Sequence, residues 1–226
     1  MRRALTGLLL ISMSAFAEEA KEDKASRELF EAMEKKLAAA KSLRVVCKAS
    51  EPREKGDRHD ASFWTSGDKV RLEFDWWAAA RGTVKWTTVS NGESVWSTQK
   101  KGEVKKAGKD PSRAIAVGFA RTGTLALTEI ESAVVTGADP GDGTQWQVSG
   151  FKAGTKETKD GIELQSIEYK VQKGKADPIA MVIWIDTKTQ LPKRREVDIS
   201  GWKLSETYEA CELDAKIAEG QFAQPK

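Results

Sequence analysis

The sequence predicts a mainly β (α+β) fold, built as one large antiparallel sheet with helices on one side. The predicted elements run as a helix, a strand meander, a helical excursion and a second meander, an order that cannot form a doubly wound parallel sheet. Lys69 to Trp76 alternates strictly between apolar and charged residues, as a half-buried antiparallel strand does. Met181 to Ile185 is apolar at every position, which predicts a strand buried on both faces.

The chain after residue 25 opens with a predicted helix from Ser26 to Lys41. Leu29, Phe30, Met33 and Leu37 fall on one helical face, so this face should pack on the sheet. We expect Ser26 to be its N-cap.

The first meander follows at Leu43. Turn residues between short alternating runs, above all Asn91-Gly92, predict successive hairpins. The predicted strands are Leu43–Ala49, Asp60–Thr65, Lys69–Trp76, Thr83–Ser90, Ser94–Thr98 and a short one near Gly102–Lys106.

The periodicity changes at Asp110-Pro111, a cap followed by proline at the first helical position. A helix is predicted over Ser112–Arg121, and Leu125–Ser132 is expected to add a further turn or two. Strands resume at Gln145–Phe151, Ile162–Gln172, Met181–Asp186, Lys193–Ile199 and Ser205–Leu213, before a short tail at Ile217–Phe222.

The doubly apolar strand at Met181 has a consequence for function. Met181, Ile183 and Ile185 face one way, and Val182 and Trp184 face the other. The few predicted helices can cover one face only, so a cavity for a lipophilic ligand is a candidate cover for the second. The sequence does not say which face is concave.

Residues 1–17 have the three parts of a secretory signal peptide: Arg2-Arg3, an apolar core around Leu8 to Ile11, and Ala15-Phe16-Ala17 as the cleavage site. The core is too short to span a bilayer. Arg2-Arg3 leaves twin-arginine export open, although the rest of that signature is missing and the general secretory route is favoured. Cleavage after Ala17 predicts a soluble periplasmic or secreted protein, with residues 18–226 as a single domain.

Cys47 and Cys211 are the only cysteines of the chain. In an oxidising compartment an even number favours pairing, so we expect a disulfide between them. Two buried free thiols are the alternative. The formal net charge of +3 is nearly balanced and gives no electrostatic case for nucleic acid.

Signs of catalysis are few. The single histidine, His59, follows Gly56-Asp57 and is expected in an exposed turn, with no partners for a metal site. No nucleophile elbow, phosphate-binding loop or zinc-protease motif occurs. We therefore expect no enzyme activity, no cofactor and no metal.

Several segments, taken together in order, resemble the bacterial outer-membrane lipoprotein carrier (LolA-like) superfamily, which includes the lipoprotein-sorting domains. These are the signal peptide, the opening helix, the Phe63-Trp64 to Leu72 hairpin, Asn91-Gly92-Glu93 with Val95-Trp96, and Val182 to Asp186 with Leu191-Pro192 and Arg195. The resemblance covers nearly the whole predicted mature chain.

The resemblance implies an incomplete β-barrel whose apolar concave face is covered by a lid of short helices, here Pro111 to Ser132. The carriers have an arginine in a Lys-Arg-Pro segment that holds the lid. The matching stretch here, Thr65 to Asp68, has no arginine, so that role is not carried over. The candidate pocket and lid residues are Trp64, Leu72, Phe74, Trp86, Trp96, Ile115, Phe119, Leu125, Trp146 and Trp184.

The function implied is that of a non-catalytic periplasmic binder, carrier or chaperone for lipoprotein acyl chains or another lipophilic ligand. The alternative is a periplasmic sensor or protein-interaction module of the same fold, with a partner protein at the inner or outer membrane. The expected partners are thus an acyl chain or lipid and a membrane protein, but not nucleic acid, and the chain is expected to be a monomer.

Overall fold

This computed structural model describes residues 22–53, 56–78, 82–106 and 111–225. The predicted signal peptide and its cleavage site lie outside these ranges. The helices are α1 (Lys24–Ala39), α2 (Pro111–Thr122) and α3 (Leu125–Thr136), and a short 3₁₀ turn, Glu219–Phe222, lies near the C-terminus. No helix in the described ranges is long and apolar enough to cross a membrane.

Eleven strands within the described ranges form one antiparallel sheet. In chain order they are β1 (Ser42–Ser50), β2 (Arg58–Ser66), β3 (Lys69–Ala78), β4 (Gly82–Ser90), β5 (Ser94–Ser97), β6 (Lys100–Lys106), β7 (Trp146–Lys159), β8 (Ile162–Lys173), β9 (Ile179–Asp186), β10 (Pro192–Ile199) and β11 (Trp202–Leu213). Their spatial order is β6-β5-β4-β3-β2-β1-β11-β10-β9-β8-β7.

This topology explains where the mid-chain helices lie. The first meander runs outward from β1 to the edge at β6, and the second returns from the opposite edge at β7 to pair β11 with β1. The connection between β6 and β7 must therefore cross from one edge to the other, and it does so as α2 and α3 over one face. The predicted fold class, an incomplete antiparallel barrel with helices on one side, is confirmed.

The opening helix lies where the spacing of its apolar residues predicts it, but its N-cap residue differs from the predicted one. Asp23 is the N-cap, and its carboxylate accepts a 2.7 Å hydrogen bond from the backbone N–H of Ser26. Ser26 is therefore the third helical residue. Phe30, Met33 and Leu37 are buried against the sheet, as predicted.

Strand β7 is longer than the sequence indicated. It continues past Phe151 to Lys159, and two register irregularities interrupt its pairing with β8. Residues 152–159 are mostly exposed because β7 is an edge strand. Bulges and lysines on an edge discourage pairing with another chain, and they also weaken the apolar alternation on which strand prediction depends.

The predicted disulfide is wrong for this structure, since both cysteines are free. They lie on neighbouring strands, but Cys47 is opposite Tyr208, whereas Cys211 is opposite Val45. This diagonal places their Cβ atoms farther apart than the roughly 4 Å that a disulfide requires. The register shift between Val46 and Cys47 increases this offset by one residue.

Candidate functional site

The helices cover the apolar concave face of the sheet. Ile115 and Phe119 of α2 are fully buried there, and the Phe119 ring packs edge-on against Phe63 of β2 and Tyr208 of β11, with centroids 5.1 and 5.0 Å away. Six of the predicted pocket residues lie on this face or on the helices above it: Leu72, Phe74, Trp86, Ile115, Phe119 and Leu125. The protein's own lid side chains therefore fill most of the concave face.

Three predicted pocket residues lie on the opposite, outer face. Trp64, Trp96 and Trp184 alternate with core residues on their strands, so they point away from the helices. Trp184 is only 7% exposed because the guanidinium of Arg194 lies 3.7 Å from its ring centroid. Trp146 packs at the margin of the core below α2. A ligand contact for any of these tryptophans stays a prediction.

An open cleft of about 380 Å³ lies over the outer face of β9 to β11. Ala180, Val182 and Pro52 give it apolar walls, but Glu196 and Asp198 add two carboxylates. The outer face of the Met181 strand is therefore covered by Arg194 in one part and open to this cleft in another. Lys203 also lines the cleft, with its Nζ 3.9 Å from Oδ2 of Asp198. An acyl chain gains little against such charged walls, so the concave face is the better candidate site.

A fully buried arginine joins the sheet to the point where α2 ends. Arg195 of β10 is 0% exposed. Its Nη1 donates to the carbonyl oxygen of Phe119 at 2.8 Å, and its Nη2 donates to that of Ala120 at 2.7 Å. These carbonyls belong to the last turn of α2, where the helix dipole favours a cation.

A fully buried glutamate, Glu206 of β11, binds the same junction. Its Oε1 accepts the backbone N–H of Thr124 at 2.9 Å and also the Thr124 hydroxyl, while its Oε2 accepts the hydroxyl of Tyr208. Nη1 of Arg195 lies 3.9 Å from Oε2 of Glu206. We call Phe119, Ala120, Thr124, Arg195 and Glu206 the junction cluster.

The electrostatics of the junction cluster follow from burial and close charge. Burial opposes the charge of Arg195, but the oxygens of Tyr169, Tyr208 and Glu206 outweigh it and raise the pKa of the guanidinium, so Arg195 is a cation. Burial raises the pKa of Tyr208 well above its ordinary value, and its hydroxyl therefore remains a donor. A buried charge persists only when it is paired and hydrogen-bonded, as here.

Gly123 permits this junction. Its φ of 66° is in the left-handed region, and its N–H donates to the carbonyl of Phe119 at 2.8 Å. A Cβ at this position would lie 2.0 Å from Oε2 of Glu206 and 2.5 Å from Nη1 of Arg195. Glycine is needed both for the turn and for the close approach of the two charges.

His59 also contacts the junction. Contrary to the expected exposed turn, it lies in β2 and is partly buried. Its Nε2 is 2.9 Å from the hydroxyl oxygen of Thr124, and its ring centroid is 5.8 Å from that of Trp76. Burial lowers the pKa of His59, against the opposing effects of Glu206 and Asp60.

A small cavity of about 90 Å³ lies beside this histidine, between the start of α3 and the sheet. Its walls are mostly apolar, and Asp57, His59, Thr124 and Thr128 also line it. The apolar side chains around it are Phe74, Trp76, Leu125, Trp202 and Leu204. This small, partly open cavity therefore lies at the edge of the lid, beside the junction cluster.

Further polar contacts also hold the helices. Thr88 of β4 donates its hydroxyl to Glu131 of α3, which is 8% exposed. Arg121 of α2 binds both carboxylate oxygens of Glu34 of α1, at 2.6 and 2.9 Å. Each lid helix is therefore also attached by polar contacts outside the junction cluster, and α2 has more of them, since Ser112 donates to the carbonyl of Gly67 and Tyr169 donates to that of Arg121.

Sequence reasoning gave no role to Glu206, and it placed Arg195 only within a motif. The available signal was a charge at an inward-facing position of an alternating strand: Glu206 lies between the core residues Leu204 and Tyr208, and Arg195 shares a face with Val197.

No family model matches this chain, and no curated protein matches it. Among solved structures, it is similar to LprF from Mycobacterium bovis, with 12% identity and a TM-score of 0.49 over 87% of this chain and 96% of that one. It is similar to the Mycobacterium tuberculosis lipoprotein LppX, with 12% identity and a TM-score of 0.42 over 86% and 96%. A LolA superfamily protein from Nitrosomonas europaea has 11% identity and a TM-score of 0.34 over 88% and 97%. Similarities at this level concern the fold and say nothing of the ligands of this chain.

Proposed function

We propose that this protein binds a lipophilic ligand, such as the acyl chain of a lipoprotein or of a lipid, on the concave face, and that α2 and α3 form a lid which the ligand displaces. This proposal rests on the two kinds of contact that the lid makes with the sheet. Its contact with the sheet is mostly apolar, and its principal fully buried charged attachment is the junction cluster beside a cavity open to the surface.

Apolar contacts of the lid are of the kind that an acyl chain can replace. Displacing Phe119 and Ile115 exposes apolar surface on the sheet, which costs free energy in water. An acyl chain recovers about 0.8 kcal/mol for each methylene that it buries there. Exchange of lid for ligand therefore needs only a modest net driving force.

The junction cluster gives the closed lid a defined position. Apolar packing alone specifies position weakly, whereas the hydrogen bonds of Arg195 and Glu206 are made only when Phe119, Ala120 and Thr124 return to the same place. A buried ion pair contributes little net stability compared with an apolar pair, so its value here is specificity for one lid position.

We propose further that the protein acts outside the cytoplasm as a non-catalytic carrier. The signal sequence of residues 1–17 supports this, together with the scarcity of catalytic motifs. N-terminal sequencing of exported protein should begin at Glu18. A sequence that still begins at Met1 would contradict export by cleavage at Ala17.

The direct test is to fix the lid. In a Thr88→Cys, Glu131→Cys double variant, oxidation would join α3 to β4 at a native side-chain contact. The oxidised variant should bind a fluorescent fatty acid at least about tenfold more weakly than the reduced form of the same protein, which is the matched control. Intact mass confirms the bond.

Equal binding by the oxidised and reduced forms would contradict a displaceable lid. If neither the wild type nor the reduced variant binds any acylated ligand, the binding function itself fails. The alternative hypothesis, a protein-interaction module of the same fold, would then replace the proposed binding function.

A further inference from the structure

His59 connects the sheet to the lid at the junction cluster. It is the only histidine of the chain, and it lies on the concave side at the start of β2. Its ring contacts Trp76 on one side and the Thr124 hydroxyl on another, and it borders the small cavity. A change in the charge or position of this ring therefore alters the contacts at the point where α2 meets α3.

The hydrogen bonds determine which nitrogen of His59 carries the proton. The Thr124 hydroxyl has one proton, which it donates to the carboxylate of Glu206. Its oxygen must then accept from Nε2 of His59. Neutral His59 is thus the Nε2–H tautomer, and proton uptake would occur at Nδ1.

Among the residues that the structure describes, three carboxylates bear on the charge of this ring. Glu206 approaches from β11 behind Thr124, and Asp57 and Asp60 belong to the chain on either side of His59. Trp76 of β3, and Leu125 and Thr128 of α3, contribute no charge. A protonated ring would have only partial compensation while it remains buried under the lid.

We propose that His59 makes closure of the lid sensitive to pH: uptake of a proton by its ring favours displacement of the α2–α3 junction, because the charged ring is hydrated only when the junction moves away. The inference rests on the lid motion of the proposed function, but not on the identity of the ligand.

The direction follows from linkage. Burial lowers the pKa of His59 in the closed state, whereas a hydrated histidine titrates at about 6.5. The contribution of neutral His59 to closure is fully present above the open-state pKa, and it is lost as the pH falls toward the closed-state pKa. Opening should therefore increase below about pH 6.5.

Hydrogen exchange measured by mass spectrometry tests this inference. Protection factors of peptides from residues 111–136 are compared between pH 7.5 and 5.5, with β8 peptides of the same molecule as the internal reference. We expect lid protection in the wild type to fall at pH 5.5 relative to β8 by up to about tenfold, because pH 5.5 lies about one unit below the open-state pKa of about 6.5.

His59→Gln is the main variant, because its amide can still donate to Thr124 but does not titrate. His59→Asn is a second neutral variant, for use if the first does not fold. The pH dependence of lid protection should disappear in either one. If it persists, or if the wild type shows none while its lid still opens, the inference is wrong and the proposed function stands. If the lid opens only with global unfolding at both pH values, both fail.

Discussion

Glu206 on β11 accepts a 2.9 Å hydrogen bond from the backbone N–H of Thr124, the residue that joins the two lid helices. With Arg195 bound to the carbonyls just before it, both ends of the interhelical turn are fixed by opposite charges from neighbouring strands. A donor at the start of α3 and acceptors at the end of α2 thus receive partners of the appropriate sign.

Removing one charge of this pair should be costly. Arg195→Met leaves Glu206 buried without its cation, and we expect the free energy of unfolding to fall by about 3–5 kcal/mol in denaturant titrations. The double variant Arg195→Met, Glu206→Met should recover part of this loss, since no unpaired charge remains. Arg194→Met, next in the chain but on the outer face, is the control. A loss for Arg195→Met no larger than that for Arg194→Met would contradict the assignment.

Gly123 offers a sharper comparison. Gly123→Ala places a methyl group 2.0 Å from Glu206 at a φ of 66°, whereas Gly161→Ala has a φ of 76° and open space around its Cβ. Both variants bear the left-handed backbone cost of about 1–2 kcal/mol, but only the first disturbs the junction cluster. Thermal unfolding should show a larger loss for Gly123→Ala, together with stronger binding of a hydrophobic dye. Equal losses and equal dye binding would count against a close-packed junction.

The cysteines should behave as shielded free thiols. Burial raises the pKa of the Cys47 thiol above its usual range and that of Cys211 to about 12, so neither forms the reactive thiolate at neutral pH. Without reductant, native protein should take up an alkylating reagent slowly, and protein in denaturant should gain two alkyl groups per chain. Zero alkyl groups in denaturant would show that the two are bonded after all.

The turn between β9 and β10 should make the stability of the protein depend on pH in the acidic range. Burial opposes the charge of Asp186, but hydrogen bonds from Thr189 and Lys188 outweigh it and lower the pKa of the carboxyl. Its stabilising effect is thus present above the ordinary carboxyl pKa of about 3.9 and is lost as the pH falls below it. Wild-type stability should decline more steeply than that of Asp186→Asn between pH 5 and 3. Parallel curves would exclude this role.

Most helices, strands and turns of the fold could be predicted from the sequence because local sequence signals agreed with the tertiary structure. The Asn91-Gly92 turn, the alternation of β3 and the apolar face of α1 each correspond to an observed element. The second half of β7 was missed, since an exposed edge strand with bulges has no apolar alternation to detect.

The site was harder to predict, because its polar members depend on register between distant strands. Arg195 and Glu206 are directly opposite each other on β10 and β11. Arg195 binds the carbonyls of Phe119 and Ala120, 76 and 75 positions away in the chain, and Glu206 binds Thr124, 82 positions away. His59 was taken for a turn residue because Gly56 and Asp57 precede it, yet β2 begins at Arg58. Tertiary pairing determined each of these positions.

In the proposed function, an acyl chain lies on the concave face in place of the lid. The most direct measurement is nuclear magnetic resonance of the indole N–H groups, assigned by single Trp→Phe substitutions, during titration with a spin-labelled fatty acid. Trp86 and Trp76 lie on the concave face, whereas Trp64 and Trp184 lie on the outer face. We predict saturable broadening of the Trp86 and Trp76 signals, with those of Trp64 and Trp184 retained. Broadening confined to Trp64 and Trp184, or none at saturating ligand, would contradict binding of the acyl chain on the concave face.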